Sequence, residues 1–245
     1  MKIVTDTPKD GESVSEVLVP KDLDGVTVTI PTAEKPAPGM AAAIVRADGT
    51  AEIIRTSVAT EDGMRITLSE SATVRLIDNS KAFADVPDGH WAYGAIQFAA
   101  SRELFTGTGA DSFSPAGGMS RAMLVTVLAR LDGQDAGGGA TWYGRAMDWG
   151  VENGVTDGTN PEAAITREQL AVMLCRYAGA EAPEESALHG FPDAGRVSDW
   201  AAGAMAWAVQ EGILTGNGTG GLNPAGTASR AEAAAILMRF VEQMA

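Results

Sequence analysis

The spacing of apolar residues changes near residue 80, from every second position to every third or fourth position. In the first part, Val26, Val28 and Ile30 alternate with Thr27 and Thr29, the pattern of a strand with one buried face. After residue 80 the apolar positions follow helical spacing. The chain therefore predicts an α+β protein with a small all-β domain at 1–80 and an all-α domain at 81–245.

The β region shows a hairpin signal and several short strands. Asp48-Gly49 separates apolar segments at 40–46 and 51–58, which predicts one strand on each side of a type I′ turn. Further strands are expected at 63–68 and 72–77. About six short strands indicate a small sandwich or open barrel. This region has no cluster of histidines, cysteines or paired carboxylates, so we interpret it as a spacer or support.

The helical region contains one unit three times. Segments of seventeen residues align without a gap, each running from a tryptophan to a glycine: 91–107, 142–158 and 200–216. Each predicts a helix that ends near Glu103, Gly154 or Gly212. A loop and a second apolar helix follow, which gives copies at about 83–133, 140–179 and 191–245. Such a unit cannot bury its apolar face alone, so the copies must pack together.

A Ser/Thr-Arg pair opens each second helix. The first residue of the pair is a good N-cap: Ser120, Thr166 and Ser229. Gln169 and Glu232 complete capping boxes in copies two and three, whereas copy one has Met123 at that position. The loop before the pair is five residues shorter in copy two, so a pocket lined by it should differ from the others.

Composition limits the function classes. The net charge of −14 argues against wholesale binding of nucleic acid or anionic lipid. Residues 81–245 contain nine arginines but one lysine, which favours a few planar, bidentate anion contacts over diffuse positive charge. The single cysteine, Cys175, excludes an intrachain disulfide and is interpreted as a small buried residue.

The sequence predicts no membrane span, because no apolar run approaches the roughly 18 residues required. Residues 1–13 lack the apolar core of a secretory signal. The protein is therefore either cytosolic or a piece of a longer chain, and we favour the second. The patterns of common hydrolases, nucleotide loops and calcium loops are missing, and His90 and His189 have no partners at metal-ligand spacing. We therefore expect no catalysis, no metal and no cofactor.

An arginine follows the N-cap in all three copies: Arg121, Arg167 and Arg230. A cation there opposes the helix dipole by about a few tenths of a kcal/mol, so its repetition needs a reason. With free backbone N–H groups at the helix start, it would make a site for a carboxylate or phosphate. Alternatively, it pairs with Asp85, Asp193 or another acid and ties one copy to the next. A second arginine series, interpreted as structural, lies nine residues later: Arg130, Arg176 and Arg239.

Aromatic and glycine positions recur as well. The tryptophans that open the first helices either pack in the core or form the flat wall of a sugar site: Trp91, Trp142 and Trp200. Trp149 and Trp207 fall in the apolar stripe and are expected in the core. The glycines that end the aligned segments either allow a tight turn, which the sequence favours, or expose N–H groups to a ligand: Gly107, Gly158 and Gly216.

These residues together resemble the S-layer homology (SLH) module. Copy one shows Phe83-Ala84-Asp85, Phe113-Ser114-Pro115 and Ser120-Arg121-Ala122, and copy three shows Phe191-Pro192-Asp193 and Ser229-Arg230-Ala231-Glu232. Copy two lacks the F-x-D opening but keeps Ile165-Thr166-Arg167-Glu168-Gln169. The resemblance covers about two-thirds of the chain.

The resemblance implies a pseudo-threefold helical bundle that holds a bacterial surface protein to the cell wall. Its partner would be an anionic, pyruvylated secondary cell-wall polysaccharide bound in grooves between copies. Carried over, the three arginines would grip a carboxylate and the three tryptophans would form walls. Asp85 and Asp193 would orient hydroxyls or the arginine, and the loop glycines would donate N–H groups. The grooves are expected to be unequal.

Two other functions stay open at this point. The chain could be a self-assembling subunit of a surface array, with the copies making protein contacts. It could also be an accessory domain of a surface glycan-processing enzyme. Each of the three functions places the protein outside the cell, at the cell wall.

Overall fold

The computed structural model describes residues 2–6, 14–23, 25–181, 183 and 185–244. Its internal contacts divide the chain into two units. The first, here called the β unit, comprises the described residues up to Phe113 together with Met244, and the second, the helical unit, is Ser114–Gln243. The division by contacts therefore lies more than thirty residues after the change in apolar spacing at residue 80.

Two antiparallel sheets form the strand layers of the β unit. The five-stranded sheet has the order β1-β2-β8-β4-β5, and the three-stranded sheet has the order β3-β7-β6. The strands are β1 Lys2–Asp6, β2 Val14–Leu18, β3 Val26–Pro31, β4 Met40–Val45, β5 Ala51–Ile53, β6 Val58–Thr60, β7 Gly63–Leu68 and β8 Ala72–Asp78. Buried side chains from both sheets form one cluster, as in a sandwich: Val17, Val28, Ile30, Ala42, Met64, Ile66, Leu68 and Val74. The expected mixture of strands and helices is confirmed.

The hairpin at Asp48-Gly49 is confirmed, since β4 pairs with β5, but the predicted turn type is wrong. Gly49 has a φ of +83°, whereas Asp48 is not among the residues with positive φ. Gly49 N–H donates to Arg46 O over 2.9 Å, and Arg46 N–H donates to Thr50 O over 2.8 Å. The loop is thus a turn closed by one left-handed glycine. The Asp48 carboxylate accepts from Thr50 N–H and thereby stabilises this longer form.

The single strand expected after this turn is divided in two. β5 belongs to the five-stranded sheet and β6 to the three-stranded sheet, so the chain crosses between sheets at residues 54–57. Ser57 is fully buried there and its Oγ accepts from Ala42 N–H over 3.3 Å. Polar side chains at such a crossing satisfy backbone groups that no ladder reaches.

The first helix of copy one, α1 (Tyr93–Ser101), belongs to the β unit. Arg102, which follows it, is fully buried and donates from Nε to Ser57 O over 2.6 Å. Its guanidinium carbon lies 3.9 Å from the centre of the Phe98 ring. Asn79 Nδ2 donates to Ser101 O over 2.6 Å. Buried polar bonds therefore fasten the end of α1 to the strand segments.

Five helices lie in the helical unit, except that Met244, the last residue of the fifth, belongs to the β unit. They are α2 Arg121–Leu131, α3 Gly144–Glu152, α4 Arg167–Tyr177, α5 Ala202–Gln210 and α6 Arg230–Met244, with short 3-10 helices at Glu185–Leu188 and Ala194–Arg196. The predicted ends of the three first helices are confirmed: Glu103, Gly154 and Gly212 have positive φ of 58°, 68° and 68°. Copy one uses a glutamate in the left-handed conformation that glycine adopts more easily.

The predicted caps of the second helices are confirmed. Each N-cap oxygen accepts the N–H of the third helical residue over 3.2 Å, at Ser120, Thr166 and Ser229. Gln169 Oε1 accepts from Thr166 N–H over 3.1 Å, and Glu232 Oε2 accepts from Ser229 N–H over 2.8 Å. Met123 cannot return such a bond, so copy one has a single cap bond where the other two have two.

Replacing Thr166 by alanine should lower the free energy of unfolding by about 1 kcal/mol, because Gln169 N–H loses its acceptor at the start of α4. Thr166→Ser, which keeps the hydroxyl, should stay within about 0.5 kcal/mol of the wild type. Urea unfolding followed by circular dichroism measures both values. Equal losses in the two variants would show that the threonine methyl group, and not the cap bond, carries the effect.

The segments before α2, α4 and α6 are joined in a closed ring. Met119 N–H donates to Ala228 O, Ala228 N–H to Ile165 O, and Ile165 N–H to Met119 O, over 2.9 to 3.0 Å. Isolated bridges pair the same segments: Gly118 with Ser229, Ser120 with Ala164, and Thr166 with Thr227. One residue of each copy thus bonds to both other copies. The three helix starts meet at a common centre, as packing of the copies requires.

Candidate functional site

The backbone N–H groups at the three helix starts are already bonded, and the expectation that they are free for an anion is wrong. The first helical N–H of each donates to a loop carbonyl of a neighbouring copy: Arg121 to Ala163, Arg167 to Gly226 and Arg230 to Gly117. The second does the same: Ala122 to Pro161, Glu168 to Pro224 and Ala231 to Pro115. Because the N-cap side chain takes the third, a ligand in this region must be held by side chains.

Arg167 ties its copy to the next one. It is 5% exposed, Nε donates to Leu222 O over 2.7 Å, and Nη2 donates to Thr215 O over 3.0 Å. Glu232 lies 3.9 Å from Nη1. Burial lowers the pKa of Arg167, with Glu232 opposing the shift. These contacts favour the alternative in which Arg167 links copies two and three over the one in which it binds a ligand. Its partners are mainly carbonyl oxygens and not the carboxylate that was expected.

Arg121 reaches the loop of copy two in the same direction. Nε donates to Thr159 O over 3.0 Å, and Nη2 donates to Asp157 Oδ1 over 2.7 Å and to Thr156 Oγ1 over 3.3 Å. The Arg121 side chain is 12% exposed and that of Asp157 is 62% exposed. Bonds from Thr159 lower the pKa of the Asp157 carboxyl, and Arg121 adds to this effect. Arg121 therefore links copy one to copy two and also lines a groove.

Arg230 is buried like Arg167, at 7% exposure. Of the three arginines predicted to grip a carboxylate, Arg121 has the most exposed side chain, at 12%, and lines a groove. We therefore leave Arg167 and Arg230 out of the proposed ligand site.

The three tryptophans at the helix starts lie on the surface. Trp91 is 67% exposed, Trp142 52% and Trp200 60%. The core alternative for these residues is therefore excluded, and their exposed apolar faces need another explanation. Trp149 and Trp207, expected in the core, are half-buried at its edge, where their rings pack near Tyr177 and Phe240 respectively. Tyr177, with its pKa raised by burial to about 12, also packs near Phe240.

A groove in the helical unit brings several of these residues together. Its volume is about 260 Å³, and it is lined by Arg121, Thr156, Asp157, Gln169, Val172, Met173, Arg176 and Trp200. Its lining residues come from all three copies, so a single copy would not form this groove. Two guanidinium groups and one carboxylate leave the groove with one net positive charge on an otherwise acidic chain.

Arg176 is the functional candidate that sequence reasoning missed, because it was grouped with a structural series. Its counterpart Arg239 donates from Nη1 to Ile213 O over 2.7 Å and is half-buried. Arg176 is exposed, and in the described part of the chain its guanidinium has no hydrogen-bond or ion-pair partner. The sequence contains one sign that copy two differs here, since Asp157 stands where copies one and three have Thr106 and Thr215.

The two aspartates predicted to orient hydroxyls or the arginine hold the loops of their own copies. Asp85 accepts from Ser112 Oγ and Phe113 N–H, both over 2.9 Å. Asp193 accepts from Leu222 N–H and Asn223 N–H, both over 2.8 Å, and these bonds lower its pKa. Both aspartates accept bonds from the loop that precedes the second helix of their copy. The aspartate of the F-x-D motif therefore holds this loop in place. Any ligand contact of these carboxylates stays a prediction.

The loop glycines fit the tight-turn explanation. Gly158 has a φ of +77°, and its N–H is 3.3 Å from the Thr156 Oγ that accepts it. A Cβ at Gly107 would lie 2.8 Å from Ser112 O, and one at Gly216 would lie 3.2 Å from Gly220 O. A side chain at the first of these positions cannot be accommodated without moving backbone. Donation of these N–H groups to a ligand stays a prediction.

Cys175 is buried at 8% exposure, and burial raises the pKa of its thiol. Its interpretation as a small packed residue is therefore consistent with the structure. Within residues that the structure describes, no group of three or more potential metal ligands comes together. The described helices include none that is long and apolar enough to cross a membrane.

Comparison with known families identifies two of the copies. Residues 82–122 and 190–234 match the S-layer homology domain, a module that anchors surface proteins to the cell wall. These segments contain the opening aspartates and the Ser-Arg pairs of copies one and three.

Several curated proteins are similar over about two-thirds of the chain. An amylopullulanase of Thermoanaerobacterium thermosulfurigenes is 29% identical over 66% of this chain and 10% of its own length. The exoglucanase XynX of Acetivibrio thermocellus is 28% identical over 69% of this chain and 17% of its own length. The surface-layer 125 kDa protein of Lysinibacillus sphaericus is 28% identical over 63% of this chain and 14% of its own length. The chain thus spans a small part of each relative.

Proposed function

We propose that this chain anchors a larger protein to the bacterial cell wall, outside the cell, by binding an acidic wall polysaccharide. The observation that carries this proposal is the groove in which the exposed Arg176, without a hydrogen-bond partner among the described residues, lies with Arg121 and the exposed face of Trp200. The match to S-layer homology domains supports the anchoring role. The ring of bonds between the helix starts supports the interpretation of the middle copy as a third such module.

The groove has the chemistry of an acidic sugar site. A guanidinium binds a carboxylate through two parallel hydrogen bonds, and Arg176 has its donors available for this. The C–H face of a sugar ring packs well on an indole, and Trp200 exposes one. The side chains of Gln169 and Thr156 can bond to hydroxyls. The ligand class that fits best is a polysaccharide bearing ketal-linked pyruvate.

The net charge of −14 explains why an anionic ligand would need a local cationic site on this chain. An acidic chain repels an acidic polymer at long range, so attraction must come from a local cationic site. A polymer presents many copies of its ligand, and a larger protein with several such chains would gain strength through avidity.

The similarity to enzymes fits an accessory role for this chain. An amylopullulanase and an exoglucanase align over 10% and 17% of their lengths, so the chain corresponds to a small part of each enzyme. We propose that this chain contributes anchoring and no catalysis. A surface-array subunit is the competing function, because a surface-layer protein is also similar.

A cell-wall pull-down tests the proposal. Purified walls should retain the wild-type chain, and walls from which the pyruvylated polymer has been removed should lose it. Arg176→Gln should weaken retention roughly tenfold, since a charge-assisted bidentate contact is worth about 1.5–3 kcal/mol. Arg145→Gln removes an exposed arginine outside the groove and serves as the matched control, with unchanged retention. Binding that survives removal of the polymer would favour protein contacts in an array.

A further inference from the structure

Glu168 is a buried carboxylate that the groove does not use directly. It is the second residue of α4 and is 6% exposed. The equivalent residues in the other copies are alanines, Ala122 and Ala231. A charged side chain is rarely buried to this degree unless it has bonding partners. Because copy two alone has a glutamate at this position, we expect this residue to have a role that is specific to copy two.

The partners of Glu168 lie at the start of copy three. Oε2 accepts from Ser198 N–H over 3.1 Å, and Oε1 accepts from Ser198 Oγ over 3.2 Å. Ser198 O in turn accepts from Ala201 N–H over 2.8 Å, which closes a turn. Trp200 lies inside this turn. Both oxygens of Glu168 thus fix the short segment that carries the exposed tryptophan.

Trp200 itself is weakly held. Its side chain is 60% exposed and, within the described residues, makes no hydrogen bond and packs against no other aromatic ring. The position of its ring over the groove therefore depends on its backbone segment. Gln169, the residue after Glu168, lines the same groove as Trp200. One turn of α4 consequently provides both a polar group of the groove and the anchor of its wall.

We infer that Glu168 is a positioning residue that holds Trp200 in place for the sugar, an inference that rests on the proposed function. It contacts no ligand, and its contribution passes through the tryptophan. A wall that is ordered before binding loses less conformational freedom when the ligand arrives. The groove lined in part by the short loop of copy two thus has a tryptophan wall whose segment Glu168 holds.

A double-mutant cycle tests the inference. Affinity for the polysaccharide released from purified walls is measured for wild type, Glu168→Ala, Trp200→Ala and the double variant. Glu168→Ala should weaken binding about fivefold, since ordering one side chain is worth about 0.5–1.5 kcal/mol. In the Trp200→Ala background the same change should have no effect, because there is no longer an indole to position. Thermal unfolding of each variant, and Glu168→Gln as a variant that keeps one acceptor oxygen, control for loss of fold.

The outcomes distinguish the positioning role of Glu168 from the binding of polysaccharide itself. An equal weakening by Glu168→Ala with and without the indole would overturn the positioning role, as would unchanged affinity in the wild-type background. Affinity restored in part by Glu168→Gln would support it. Failure of the wild type to bind the polysaccharide at all would overturn the proposed function and this inference with it.

Discussion

Replacing Arg167 by alanine is expected to lower the free energy of unfolding by about 3 kcal/mol, the range for breaking a buried polar network. The change leaves the carbonyls of Leu222 and Thr215 without their donor in a region where Arg167 is 5% exposed. It also removes the tie between α4 and the loop of copy three. Urea unfolding followed by circular dichroism measures the loss.

Arg121→Ala is the matched comparison, because Arg121 occupies the same position in copy one. It should cost less, about 1–2 kcal/mol, since it loses one carbonyl bond, to Thr159, and its pair with the largely exposed Asp157 contributes little. A loss below about 0.5 kcal/mol for Arg167→Ala would mean that the loop carbonyls regain partners from water. Equal losses for the two variants would mean that the difference in burial has no energetic consequence.

Replacing Trp200 by alanine should weaken binding of the wall polysaccharide about tenfold to thirtyfold, the effect of losing about 1.5–2 kcal/mol of apolar contact. The free energy of unfolding should change by less than about 0.5 kcal/mol, because the side chain is mainly exposed. Titration of the purified chain with released polysaccharide measures the affinity. Loss of affinity without loss of stability is the signature of a residue that contacts ligand.

Trp142→Ala provides the control for Trp200→Ala. Trp142 is 52% exposed and opens the equivalent helix of copy two, but it does not line the groove that contains Arg176. Its removal should leave affinity within about twofold of the wild type. A larger effect at Trp142 than at Trp200 would place the main site elsewhere on the surface.

The sequence predicted best those features that depend on neighbouring residues. The capping boxes at Thr166 and Ser229 formed because each needs two side chains three positions apart. The ends of the first helices followed from left-handed residues at Gly154 and Gly212. The hairpin at Asp48-Gly49 was also recognisable, although a side-chain bond to Thr50 changed the turn type.

Features set by distant residues could not be predicted in the same way. Arg121 and Arg167 both follow a Ser/Thr N-cap, yet their side chains are 12% and 6% exposed because different loops lie opposite them. The division between β5 and β6 depends on a buried serine that bonds to another strand. Arg176 and Arg239 likewise differ: Arg239 donates to the carbonyl of Ile213, whereas Arg176 has no such partner among the described residues. Periodicity carries no information about which carbonyl a side chain will meet.

The site therefore differs from the one that the repeat pattern implied. Three arginines at equivalent positions predicted that each would grip a carboxylate, in grooves that were expected to be unequal. Two of them, Arg167 and Arg230, are buried, while Arg176 from the series interpreted as structural presents its guanidinium to solvent. A triplicated sequence thus supports one described groove that joins residues of all three copies.

A crystal of this chain soaked with an amino sugar that carries a ketal-linked pyruvate tests whether this groove is the binding site. The carboxylate is expected within hydrogen-bond distance of the Arg176 guanidinium, with the sugar ring on the face of Trp200. A sugar bound at another surface, with this groove empty at a saturating concentration, would contradict it.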